Sequence, residues 1–145
     1  MLDRRTTLRF ALAAALAASA AAQTTTIVPC SLDTTLYENV NGDFSNALGE
    51  SVFVGVTAQG LARRMLLRFD VASALPAGAR VVAVRLEMNV VASGAHSPTT
   101  VHAHRILAPW GEGTSYALTG GGGQGAPSTP GDATWVHSAW PNATW

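Results

Sequence analysis

Between residues 80 and 91 apolar side chains occupy every second position. Val82, Val84, Leu86, Met88 and Val90 fall on one side, and Val81, Ala83, Arg85, Glu87 and Asn89 on the other. A period of two with one polar side is that of an antiparallel strand burying a single face. Residues 63–70 alternate in the same way, with Met65, Leu67 and Phe69 opposite Arg64, Leu66 and Arg68. A helix would mix those two sets. The expectation is that Met65, Leu67, Phe69, Val82, Val84, Leu86 and Met88 are buried, with Arg64, Arg68 and Arg85 exposed. Further strands are expected at residues 34–40, before the turn cluster Asn41-Gly42-Asp43, and at 51–56, before Ala58-Gln59-Gly60. Two more are expected at about 99–107 and at Thr134-Trp135-Val136, and Pro76-Ala77-Gly78 reads as a turn. No segment beyond residue 22 carries a helical stripe. Short strands punctuated by Gly and Pro predict an all-β fold, an antiparallel β-sandwich of the jelly-roll type.

Residues 1–22 have the three parts of an export signal: Arg4, Arg5 and Arg9, an apolar stretch over 10–18, and Ala20-Ala21-Ala22 as a small-residue cleavage pattern. That stretch is too short for a bilayer span of about 20 residues. The start Asp3-Arg4-Arg5-Thr6-Thr7-Leu8-Arg9 also resembles a twin-arginine signal, with Thr7 where a bulkier apolar residue is usual. Both routes predict a secreted or extracytoplasmic protein of bacterial type, divided into a signal (1–22) and one β-sandwich module (23–145). The chain has nine arginines, no lysine and nine acids, of which three arginines and one acid fall in 1–22. Six arginines against eight acids leave −2, so no basic excess points to nucleic acid or to a membrane surface after signal cleavage. Cys30 is the single cysteine, so no internal disulfide can form, and it reads as a partly buried free thiol.

All four tryptophans lie between 110 and 145 in a block that opens Trp110-Gly111-Glu112-Gly113-Thr114-Ser115, passes Gly120 to Gly123 and emerges at Gly131-Asp132-Ala133-Thr134-Trp135. It holds no nucleophile elbow, no phosphate loop and no metal-spaced Cys/His set. Aromatic surface among glycine turns remains. Six pieces, in order, resemble the DNRLRE domain: Asp33-Thr34-Thr35-Leu36-Tyr37-Glu38, Ser51-Val52-Phe53-Val54-Gly55, Arg64-Met65-Leu66-Leu67-Arg68-Phe69-Asp70, Leu75-Pro76-Ala77-Gly78-Ala79, and the two glycine–tryptophan motifs. The resemblance to this domain, which belongs with the family-96 carbohydrate-binding modules, implies a non-catalytic jelly-roll module of secreted bacterial proteins. Some relatives bind acidic polysaccharides such as alginate. Relatives also continue past the second tryptophan motif with strands that close the sandwich. This chain is therefore expected to be a truncated gene or fragment, an incomplete sandwich with an unpaired sheet edge and exposed apolar surface.

Arg64, Arg68 and Arg85 are the candidate site: three guanidinium groups on one outer surface would bind uronate carboxylates two bonds at a time. Trp110 or Trp135 would stack on a sugar ring. The competing reading pairs these arginines with Glu87 and other acids as ordinary surface charges. Asp43, Glu112 and Asp132 sit beside glycines, where oxygens can cage a structural calcium ion, although turn capping accounts for each more simply. His102 and His104 share one side of a strand with the spacing of a metal pair, but no cysteine or near carboxylate completes a set, and a solvated face is the plainer reading. His96 and His137 are isolated. The expected function is carbohydrate binding without catalysis and with no cofactor beyond calcium, the partner being a polysaccharide. The alternative is a structural or adhesive module of a larger extracellular protein.

Overall fold

The structure is a computed structural model, and it describes residues 23–94, 100–118 and 121–145. The export signal expected at residues 1–22, His96, the first residue of the strand expected at 99–107, and Gly120 lie outside the described residues. The chain is all-β in character, with seven short strands and one helical turn among the described residues: β1 (Cys30–Tyr37), β2 (Phe44–Ser45), β3 (Gly55–Val56), β4 (Ala62–Phe69), α1 (Val71–Ala74), β5 (Ala126–Pro127), β6 (His137–Ala139) and β7 (Ala143–Thr144). They form three antiparallel sheets, ordered β1-β4-β3, β2-β5 and β6-β7.

The main ladder joins β1 to β4, with Thr34 opposite Leu66, Leu36 opposite Arg64 and Tyr37 opposite Arg63. β-Branched and aromatic residues suit the pleated surface here, and the local turns are those the sequence announces. Gly60 N–H donates to Thr57 O at 2.9 Å, and Thr57 N–H to Leu61 O at 2.9 Å, closing the β3–β4 hairpin. After β1, Gly42 N–H donates to Asn39 O at 3.1 Å while Asn39 Oδ1 accepts from Asn41 N–H at 2.8 Å. Asp70 caps α1, its Oδ1 accepting from Ser73 N–H at 3.2 Å.

The apolar core is small. Leu36, Leu66 and Ala133 are buried together, with Trp110 and Trp135 packed against them. Around it the interior is largely polar, because strands this short leave many backbone groups for side chains to satisfy. Thr35 Oγ1 accepts from Phe53 N–H at 2.9 Å, and Asn46 Oδ1 from Ala117 N–H at 2.8 Å. Ser115 Oγ accepts from Ala47 N–H at 3.1 Å, and Ser45 Oγ donates to Ala133 O at 3.0 Å. Tyr37 is buried, with its hydroxyl donating to Gly122 O and the Arg63 guanidinium 4.9 Å from its ring centroid. Burial pushes the Tyr37 phenol up from its ordinary value.

Five expectations are corrected. Residues 80–91 are not a strand: their alternating apolar side chains are exposed, Val82 by 64% and Val84 by 87%. Alternation defines a face, but a strand exists only where a neighbour supplies the ladder, and no described strand pairs with this segment. Residues 100–107 likewise form no strand. Within β4, Leu66 on the arginine face is the buried residue, while Met65, Leu67 and Phe69 are half-buried. The arginine face is the one that meets Ala133 and the tryptophans, and Arg64 and Arg68 reach its exposed rim. Thr134-Trp135-Val136 makes a turn rather than a strand, because Thr134 Oγ1 accepts from Val136 and His137 N–H at 3.3 and 3.0 Å, and β6 starts at His137. Finally, Cys30 is exposed at the start of β1, its thiol donating to Leu32 O. β3 pairs with β4 only at Ala62 and Arg63, leaving that edge of β4 without a described partner from Arg64 onward.

Candidate functional site

The two glycine–tryptophan motifs fold onto each other. Ala133 N–H donates to Gly111 O at 2.8 Å, and Gly111 N–H to Ser138 O at 2.9 Å. The contact is so close that a Cβ at Gly111 would lie 2.1 Å from Gly131 O. At the centre is Asp132, fully buried. Its Oδ2 accepts from Thr129 N–H at 2.6 Å, and its Oδ1 from Thr114 N–H at 3.0 Å, Thr129 Oγ1 at 3.2 Å and Ser115 N–H at 3.4 Å. Glu112 is tied to β1, its Oε1 accepting from Asp33 N–H at 2.7 Å. Asp43 Oδ1 and Ser128 Oγ are buried without a hydrogen-bond partner among the described residues. The three acids considered for calcium therefore do different work, two of them as acceptors of backbone N–H groups. Among the described residues no three His, Cys, Asp or Glu side chains come together as a set that could hold a metal ion.

This knot fixes Trp110 and Trp135 beside the arginine face of β4. The Arg64 guanidinium lies over the Trp135 ring, 4.4 Å from its centroid. Stacking of this kind contributes about 0.5–1 kcal/mol at an exposed site. More to the point, it orients the guanidinium while leaving its in-plane N–H donors free for a carboxylate. Trp145 closes the end of the wall, with its indole N–H donating to Thr134 O at 2.9 Å.

Arg64, Arg68, Trp110 and Trp135 line one open cleft of about 1470 Å³. Leu36 and Leu66 contribute to its floor, and Leu86, Met88, Val101 and Ile106 to its lining from the segments that follow α1. Four of the five candidate residues are thus brought together. Arg85 is not: it pairs with Glu87 at 2.6 Å between exposed side chains, as the surface-charge reading expects. Sequence reasoning missed Trp145 and Arg105 as lining groups, and placed His102 and His104 on a strand rather than in this cleft. Among the described residues the ionisable side chains lining the cleft are Arg64, Arg68, Arg105, His102 and His104, with no Asp or Glu. A concave surface with charges of one sign concentrates the opposite sign.

A second, smaller cavity of about 300 Å³ is lined by Asn46, Glu50, Phe53, Tyr116, Gly122 and others. It lies on the Tyr37 side of β1, since Tyr37 reaches Gly122 and Thr35 holds Phe53. No family model, curated protein or solved structure matches the chain.

Proposed function

We propose that this chain is a non-catalytic, carbohydrate-binding module of a secreted protein, taking acidic polysaccharide into the cleft between β4 and the tryptophan motifs. The observation that carries the reading is the Arg64 guanidinium stacked on Trp135 in a cleft whose described lining holds three arginines and no Asp or Glu. A uronate polymer offers what such a surface selects: planar carboxylates for bidentate pairing, and sugar rings with apolar faces for tryptophan and leucine. Trp135 serves as the platform for Arg64, which leaves Trp110 and Trp145 for the sugar. The DNRLRE resemblance supports the same ligand class, a jelly-roll sandwich as the parent architecture, and export as the destination.

The test is binding of the full chain to alginate, polygalacturonate and a neutral β-glucan by isothermal titration calorimetry. Binding to the two acidic polymers that weakens with salt is expected, with little or none to the glucan. A chain that is folded yet binds none of them supports the second reading, a structural or adhesive module. That reading is favoured by the exposed apolar side chains from Val82 to Val90, a patch suited to protein contacts.

A further inference from the structure

We infer that His102 and His104 form a second anion-binding pair in this cleft, one that gains charge as the ligand engages it, so that ligand binding takes up protons. The inference rests on the acidic-glycan reading and adds a regulation to it. The two rings lie side by side, 6.3 Å between centroids and tilted by 36°. Both side chains are exposed, and both line the cleft that holds the stacked Arg64.

Two imidazoles so placed suit either a transition metal or an anion, and their surroundings decide between them. The charged groups lining the cleft with the pair are Arg64 and Arg68 from β4 and Arg105 from the pair's own segment. On the neighbouring segment Glu87 is held by Arg85 at 2.6 Å and does not line the cleft. Among the described residues the cleft is lined by three guanidinium groups and by no Asp or Glu, a lining that repels a dication and attracts an anion.

Histidine is the side chain whose charge changes between pH 5 and 8. An anionic polymer lying along the cleft stabilises the imidazolium form, as any opposite charge within a few ångströms does. The bound state therefore holds more protons than the free state, and by linkage affinity rises as pH falls. Uronate carboxylates remain ionised down to about pH 5, so the ligand's own charge is constant through the window.

The experiment titrates the full chain with polygalacturonate at pH 5.5, 6.5 and 8.0, in two buffers of different ionisation enthalpy at constant ionic strength. Expected are uptake of up to two protons per site and a roughly three- to tenfold rise in affinity from pH 8.0 to 5.5. The double variant H102Q/H104Q should lose both the proton uptake and the rise in affinity between pH 8.0 and 5.5. As a measurement needing no variant, the C2–H resonances of the two histidines should titrate at higher pH with polymer than without. Polymer binding with no proton uptake, or a double variant that keeps the pH dependence, overturns the inference and leaves the glycan reading standing. Absence of binding at every pH overturns both. Displacement of polymer by Zn²⁺ at pH 8.0, abolished in the double variant, would assign the pair to a metal and overturn the anion role.

Discussion

Gly113 and Asp132 are fitted to each other so closely that a Cβ on Gly113 would stand 1.7 Å from Asp132 Oδ1. Gly113 has φ +72°, in the left-handed region where a side chain is strained even with space to spare. Gly113→Ala should therefore destabilise the fold by about 1–3 kcal/mol from backbone strain alone, with the displaced carboxylate adding to it. Asp132→Ala should cost about 3 kcal/mol or more, since it strands several buried donors at once. Urea denaturation midpoints would measure both. A neutral Asp132→Ala would mean that the knot does not hold the two motifs together.

The contrast between two leucines tests which face of the chain is core. Leu66 is buried against Ala133, so Leu66→Ala should cost about 2–5 kcal/mol. Leu86 is 46% exposed, and Leu86→Ala should stay within about 1 kcal/mol. Equal losses at the two positions would show that residues 80–91 bury their apolar face in solution.

Asp33 makes stability depend on pH. Burial pushes its carboxyl up from the ordinary value of 3.8, so the native state prefers it protonated. The sign follows: its contribution is most favourable below pH 3.8 and is lost as pH rises through the raised native value. Asp33→Asn keeps the shape and the backbone N–H that Glu112 accepts, and removes the cost of ionisation. The variant should be more stable than the parent at pH 7, and the gap should close near pH 3. Thermal melts across that range would decide, and a gap that widens in acid would reverse the assignment.

The arginines should separate by position. Arg64→Gln with Arg68→Gln should weaken alginate binding roughly tenfold and flatten its salt dependence, because exposed charges act over about 8 Å at physiological ionic strength. Arg85→Gln should change little, as its guanidinium is already engaged by Glu87 outside the cleft. Calorimetry at two salt concentrations distinguishes the variants. Loss of binding on Arg85→Gln alone would move the site to residues 80–91.

What could be read from the sequence was what neighbours decide. The strand at Ala62–Phe69, the Asn-Gly turn after β1 and the Thr57–Gly60 turn depend on alternation and turn chemistry within a few residues. Residues 80–91 show the limit of that information, since their pattern names a face without naming the strand that would pair with it. The inversion at Leu66 has the same origin: residues far along the chain, Ala133 above all, decide which side of β4 is covered. The candidate site was legible as residue types, Arg and Trp, and as two glycine motifs. That Arg64 meets Trp135 while Arg85 does not is a matter of tertiary placement, which no local spacing encodes.

The edge of β4 that has no described partner beyond Arg63 would, on the proposed reading, link solubility to occupancy of the cleft. Exposed strand edges invite a second chain to add on, and charged side chains are among the features that discourage it. Along this edge the repelling charges are Arg64 and Arg68, two of the groups that the cleft offers to an anion. A polymer that neutralises them also lowers the barrier between copies bound along the same strand. On the proposed reading, clustering would begin only on the ligand, at sub-saturating polymer, and would reverse when excess polymer spreads the copies apart.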